Sequence, residues 1–252
     1  MIDVADVSPW LWLVAPAVVV IGYTVFGLSG FGSTAITVPI LAHFLPISYL
    51  VPLMVVLDMF CATFMGTQGR KHVSKAELKN LVPFMLVGFV LGATVLVGVP
   101  DKWLRLALGL FAASIGLYSI LNPRLAGTIS RWWSIPAGIA GGATATIFGA
   151  GGPIYATYLS GRLHDKDELR STISTLISLS AFTRAIIYAI SGLLLHVAIF
   201  AGGLLLSPFV WIGLAIGRRI HVGLTADQMR RAVGAILVFT GSSLLVRVAL
   251  QS

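Results

Sequence analysis

The chain has 252 residues, of which 57% are hydrophobic and only 10% charged, and its mean hydropathy is +0.95. Soluble domains carry about 25% charged residues, so this composition excludes a water-covered globular enzyme, and it is too apolar for a disordered chain. The basic residues responsible for the formal net charge of +8 lie in short segments between apolar runs, as they do in membrane proteins. This placement excludes a nucleic-acid-binding protein. The composition predicts an all-α polytopic membrane protein.

The first half of the sequence alternates apolar runs with one clear break. Residues 27–32 contain three glycines, which disfavour a continuing helix. The apolar piece after this break is short and contains Pro39. The predicted helices of this half cover residues 10–29, 33–45, 49–67, 81–99 and 103–121.

The second half repeats this order of runs and breaks. An apolar run ends at a second break, residues 149–153, and a short piece follows it. The predicted helices here cover residues 133–148, 154–160, 171–191, 194–217 and 232–249. Since one crossing of a bilayer requires about 20 apolar residues, we predict eight helices that are long enough, or nearly so, to span it. The pieces after the two breaks are too short to cross.

Two glycine motifs recur at a common shift of 125 residues. The motif P-F-x3-G-x3-G begins at Pro83 and again at Pro208, and the motif R-x-A-x-G-x6-G begins at Arg105 and again at Arg230. Agreement of two adjoining helices on one shift indicates an internal duplication. We therefore predict two transmembrane repeats, residues 1–124 and 125–252, within one membrane domain, each formed by a glycine-broken hairpin and three spanning helices.

The distribution of basic residues predicts the orientation in the membrane. If each broken pair is a hairpin, the loops 68–80, 122–132, 161–170 and 218–231 share one face and hold thirteen of the 17 Lys and Arg residues. The positive-inside rule assigns this face to the cytoplasm and both termini to the periplasm. The repeats then have inverted topology, which is typical of secondary transporters whose substrate binds near the midplane between broken helices.

The two glycine breaks are the candidate substrate-binding segments. A broken helix exposes backbone N–H groups at the positive end of its second piece, and two such ends converging on one mid-bilayer pocket with room for a solute would bind an anion. The alternative is that these glycines only allow close packing, which is our interpretation of the repeated motifs. We expect no metal and no cofactor. The candidate residues are Gly30, Phe31, Gly32, Ser33, Thr34, Gly149, Gly151, Gly152 and Pro153.

Two ionisable residues, Asp58 and Arg184, lie well inside predicted spans. Each costs about 2.5–3.5 kcal/mol at the centre of a membrane helix, so each needs a partner or a wet cavity. Under the shift of 125, Asp58 corresponds to Thr183, next to Arg184. One hypothesis is that Arg184 binds an anionic substrate and Asp58 carries a coupling proton. The alternative is a structural ion pair between the halves.

The broken segments resemble the signatures of a known family. Residues 27–41 (G-L-S-G-F-G-S-T-A-I-T-V-P-I-L) and 147–161 (I-F-G-A-G-G-P-I-Y-A-T-Y-L-S-G) are similar to the two signatures of the TauE/SafE family of sulfite and sulfonate transporters. Some members have G-x-G-G-G in both halves, whereas Ser33 interrupts the first run here. The resemblance implies a secondary carrier for sulfur-containing anions, such as sulfite, thiosulfate or organosulfonates, in a bacterial inner membrane.

Two other classes of membrane protein are alternatives to a carrier. An anion-conducting channel is the main alternative, although the sequence has no charged ring and no amphipathic pore stripe. An intramembrane enzyme needs a nucleophile, a metal or an acid–base pair, and only Asp58 is a buried acid, so we expect no enzymatic activity. A homodimer is compatible with a protein of this size, but no sequence feature marks its surface.

Overall fold

The computed structural model describes residues 10–29, 32–65, 72–121, 129–219 and 226–250. Within these ranges the chain is helical and contains no strand. A short 3₁₀ helix, Arg131–Trp133, precedes α6. The α-helices are α1 Leu11–Ser29, α2 Ser33–Leu41, α3 Ile47–Met65, α4 Lys75–Gly98, α5 Asp101–Leu121, α6 Ser134–Phe148, α7 Gly152–Ser160, α8 Lys166–Ile190, α9 Val197–Arg219 and α10 Ala226–Leu250.

Among the described residues, six helices are long and apolar enough to cross a membrane, namely α1, α4, α5, α8, α9 and α10. The prediction of eight also counted α3 and α6 as long enough, or nearly so. The 19 residues of α3 extend about 28 Å at 1.5 Å per residue, close to the thickness of the hydrocarbon core, and its described apolar stretch covers Ile47–Ala62. At 1.5 Å per residue, the 15 residues of α6 extend only about 22 Å, less than the roughly 30 Å hydrocarbon core. The two short pieces predicted after the breaks are present as α2 and α7, with nine residues each.

Both breaks contain a glycine with left-handed backbone geometry. Gly32 caps the start of α2 with φ +100°, and Gly149 ends α6 with φ +72°. Residues with a Cβ atom rarely adopt these φ values, so these two glycines allow the chain to leave one helix and begin the next.

The repeated P-F-x3-G-x3-G motif forms equivalent helix contacts in the two halves. A Cβ atom on Gly88 of α4 would clash with the Ile139 carbonyl of α6 and lie 2.9 Å from the Ala143 nitrogen. A Cβ atom on Gly213 of α9 would lie 2.7 Å from the Val20 carbonyl of α1. The first helix of each half thus packs, backbone to backbone, on the fourth helix of the other half, as expected for packing glycines.

The second motif brings α5 and α10 together. A Cβ atom on Gly116 would lie 2.6 Å from the Gly234 carbonyl, and one on Gly241 would lie 2.7 Å from the Gly109 carbonyl. The glycine that comes first in one helix faces the glycine that comes last in the other. The two helices therefore run antiparallel at close distance.

The interior of the bundle is centred on α3. Leu50, Val51, Met54 and Leu57 are fully buried there. Large apolar side chains on the outer helices are exposed, including Val90 and Leu91 of α4 together with Ile186 of α8 and Leu204 of α9. An apolar exterior around a packed helical interior is the arrangement expected in lipid.

The free end of α7 is fixed to the start of α4 by a charged cluster. The buried carboxylate of Glu77 accepts a hydrogen bond from the Tyr158 hydroxyl at 2.8 Å. Its other oxygen accepts from Nε and Nη2 of Arg162 at 3.0 and 2.8 Å. Because hydrogen bonding to Glu77 favours the charged guanidinium, the pKa of Arg162 is raised above its usual value.

A similar cluster holds the turn between α2 and α3 against the start of α5. The Asp101 carboxylate accepts from the Ile47 backbone N–H at 2.7 Å and forms an ion pair with Arg105. Arg105 in turn donates to the carbonyls of Ala42 and Leu45. Each short helix is therefore anchored at its distal end, which fixes where its other end, at the glycine break, lies.

We expect Gly88→Ala to destabilise the protein by about 1–3 kcal/mol, because the added methyl group forces α4 away from α6. The melting temperature of the purified protein in detergent measures this effect. Gly98→Ala is the matched control in the same helix, since no described atom lies within 4 Å of its Cβ position. Equal melting temperatures for both variants would contradict the packing role of Gly88.

Candidate functional site

A buried ion pair joins the centres of the two halves. Asp58 of α3 and Arg184 of α8 are 6% and 2% exposed, and Asp58 Oδ2 lies 3.1 Å from Arg184 Nη2. The Tyr23 hydroxyl of α1 donates to Asp58 Oδ1 at 2.8 Å. The structural ion pair between Asp58 and Arg184, one of the two hypotheses from the sequence, is therefore present.

Arg184 makes two further hydrogen bonds to backbone carbonyls. Its Nη1 donates to Ala145 at 2.9 Å, and its Nε donates to Ser180 at 3.4 Å. Ala145 lies in the last turn of α6, where the helix dipole carries partial negative charge. The guanidinium is thus held in a fixed orientation by α3, α6 and α8 together.

The glycine breaks of both halves and this ion pair line a single cavity. Gly30 and Phe31 lie outside the described residues. All the other predicted site residues line it, namely Gly32, Ser33, Thr34, Asp58, Gly149, Gly151, Gly152, Pro153 and Arg184. The sequence therefore identified the segments that the fold brings together, although they are far apart in the chain.

The two breaks touch each other directly. The Thr34 hydroxyl at the start of α2 donates to the Gly149 carbonyl at the end of α6. A Cβ atom on Gly149 would lie 2.9 Å from the Thr34 Cβ. Thr34 is only 6% exposed, so this contact closes one side of the cavity.

The cavity is small in this conformation. Its free space for a water-sized particle is about 20 Å³, enough for about one water molecule and too little for an organosulfonate. The expected shared pocket is present, but the expected room for a solute is not. A larger solute can therefore enter only if the walls of the cavity separate.

The electrostatics of the cavity favour negative charge. The N-terminal ends of α2 and α7 both face it, and each carries about half a positive charge. Arg184 adds a full positive charge, whereas Asp58 is the one carboxylate among the described lining residues. Even with the partial negative charge at the C-terminal end of α6, the cavity has an excess of positive charge, which suits an anion.

Two tyrosines of this region were missed by the sequence analysis. Tyr23 hydrogen-bonds to Asp58, and Tyr155 of α7 lines the cavity. Tyr155 lies four residues after Gly151, on the same face of the helix, and this spacing was the available signal. Tyr23 gave no comparable signal, because its partner Asp58 is distant in the chain.

Comparison with known proteins agrees with this architecture. Residues 14–244 match the family described as sulfite exporter TauE/SafE, which confirms the resemblance of the two broken segments. One curated relative, the probable inner membrane transporter protein TsaS of Comamonas testosteroni, is 23% identical over 193 residues, covering 76% of this chain and 81% of that protein. No solved structure matches the chain significantly. Because the family match spans both glycine breaks and both halves, the chain belongs to the TauE/SafE family of membrane transporters.

Proposed function

We propose that the protein is a secondary carrier that moves a sulfur oxyanion, such as sulfite, thiosulfate or an organosulfonate, across the bacterial inner membrane. The observation that carries this proposal is the convergence of two helix N-termini and Arg184 on one buried cavity. The planar guanidinium binds two oxygens of an oxyanion at once. The description of the family as sulfite exporters supports the substrate class, and the name of the relative TsaS, an inner membrane transporter protein, supports the membrane.

Arg184 is the proposed substrate contact, and its ion pair with Asp58 is the resting state of the site. An anion that takes over the guanidinium leaves the Asp58 carboxylate buried without its partner, which costs several kcal/mol. A proton on Asp58 removes this cost. Anion binding and protonation of Asp58 are therefore linked, which makes the carrier proton-coupled.

The proposed carrier consists of two repeats, residues 1–124 and 125–252, with inverted topology. The contacts of the repeated glycines support it, since α5 and α10 run antiparallel across Gly109–Gly241 and Gly116–Gly234. Inverted repeats allow one half to rock against the other around a central site. The excess of Lys and Arg in the segments 68–80, 122–132, 161–170 and 218–231 supports both termini in the periplasm in this proposal.

In proteoliposomes, we expect saturable uptake of sulfite or methanesulfonate that a pH gradient accelerates. Asp58→Asn should keep exchange of labelled anion but lose accumulation driven by the pH gradient, because the coupling carboxylate is gone. Lys102→Gln, an exposed change at the start of α5, is the control and should behave as wild type. Ion current that does not saturate with anion concentration would contradict a carrier and favour a channel.

Arg184→Gln should weaken anion binding at least tenfold, since it removes the one full positive charge among the described lining residues. Isothermal titration of the purified variant measures the affinity, and size-exclusion chromatography checks that it is folded. Unchanged affinity in a folded variant would end the proposed role of Arg184 in binding.

The stability of the ion pair gives a separate prediction. Asp58→Asn or Arg184→Gln alone should cost about 3–5 kcal/mol, because each leaves an uncompensated buried charge. The double variant Asp58→Asn/Arg184→Gln should lose much less than the sum of the two single variants. Melting temperatures of the four proteins without substrate measure this coupling, and additive losses would show that the pair does not stabilise the resting state.

A further inference from the structure

Tyr155 lines the cavity, and its buried hydroxyl has no hydrogen-bond partner among the described residues. Its side chain is only 1% exposed. Buried hydroxyl groups in folded proteins are almost always paired, because an unpaired one loses its hydrogen bonds to water without replacement. An unpaired hydroxyl that lines a binding cavity therefore points to a ligand.

The position of the Tyr155 ring is fixed by the glycines on both sides of it. A Cβ atom on Gly141 of α6 would clash with ring atom Cε1, and one on Gly151 would lie 3.0 Å from Cε2. The Tyr155 backbone N–H also bonds to the Gly151 carbonyl at 3.1 Å. The ring fits between two backbone segments, so the hydroxyl is held in place before a ligand arrives.

Two neighbouring tyrosines provide a contrast. The Tyr23 hydroxyl donates to Asp58, and the Tyr188 hydroxyl donates to the Thr146 carbonyl. Both phenols help to build the site and are satisfied by the protein. Tyr155 lines the same cavity as Arg184, and its hydroxyl keeps its donor capacity.

We propose that Tyr155 is a specificity-determining residue that distinguishes a three-oxygen sulfur head group from a carboxylate. This inference rests on the proposed function. When Arg184 holds two oxygens of the anion through its planar fork, a sulfite or sulfonate group still presents a third oxygen. The Tyr155 hydroxyl donates to that third oxygen. A carboxylate has no third oxygen, so it leaves the Tyr155 hydroxyl unpaired. Sites that hydrogen-bond a particular substrate group reject analogues that lack this group.

The test compares Tyr155→Phe with wild type, using methanesulfonate and acetate as probes that differ in the head group. The variant should bind methanesulfonate at least tenfold more weakly and acetate unchanged, so the preference for the sulfonate falls by the same factor. Its melting temperature without ligand should be equal to or higher than that of wild type, because the change removes an unpaired buried hydroxyl. A merely structural hydroxyl would instead lower the melting temperature and leave the preference intact.

Tyr118→Phe in α5 is the matched control, since Tyr118 is absent from the residues that line the cavity, and it should leave both affinities unchanged. If wild type binds methanesulfonate and Tyr155→Phe retains both affinity and preference, the inference about Tyr155 is wrong and the proposed function stands. If wild type itself binds acetate as tightly as methanesulfonate, the inference is wrong without any variant. If wild type binds neither sulfite nor methanesulfonate, the proposed function fails and the inference with it.

Discussion

The ion pair between Asp58 and Arg184 is the constraint on which the rest of the structure depends. Two full charges inside a membrane protein are tolerated only when each has a partner and further hydrogen bonds. Here Tyr23 completes the shell of the carboxylate, and backbone carbonyls complete that of the guanidinium. These partners come from α1, α6 and α8, so satisfying one pair of charges fixes the relative positions of helices from both halves.

The glycines make this convergence physically feasible. Side chains on α4, α9, α5 and α10 would otherwise hold the helices apart, and the repeated motifs remove them at the crossings. The left-handed Gly32 and Gly149 then end one helix and begin the next beside the ion pair. Glycine therefore allows close packing at the helix crossings and shapes the cavity at the two breaks, at different positions in the chain.

Sequence patterns predicted what depends on local chemistry. The breaks and the short helices after them follow from glycine content and segment length. The fixed shift between repeats placed Asp58 and Arg184 at equivalent positions and left their ion pair as one of two alternatives. The starts of α4 and α8 did not follow, because both helices begin in polar residues, at Lys75 and Lys166, before the apolar run is reached. The orphan hydroxyl of Tyr155 also could not be predicted, since it depends on which partners the tertiary structure fails to supply.

The small size of the cavity bears directly on the proposed mechanism. In the proposed resting state the Asp58 carboxylate is paired with the Arg184 guanidinium. The oxyanion substrate is paired with the same guanidinium in the proposed loaded state. A site that holds an internal anion does not need to hold water or an empty volume, and it keeps its positive groups neutralised in a low-dielectric interior. When Asp58 gains a proton and the substrate oxyanion takes its place beside Arg184, the local charge changes little. The size of the anion beside Arg184 does change. In the proposed mechanism, the separation of α2 from α6 at the contact of Thr34 with Gly149 is the motion that makes room. That motion breaks one neutral hydrogen bond, whereas opening the site at Arg184 without a replacement anion would expose an unpaired charge. The wall formed by the two glycine breaks is therefore the part of the cavity whose opening costs less free energy.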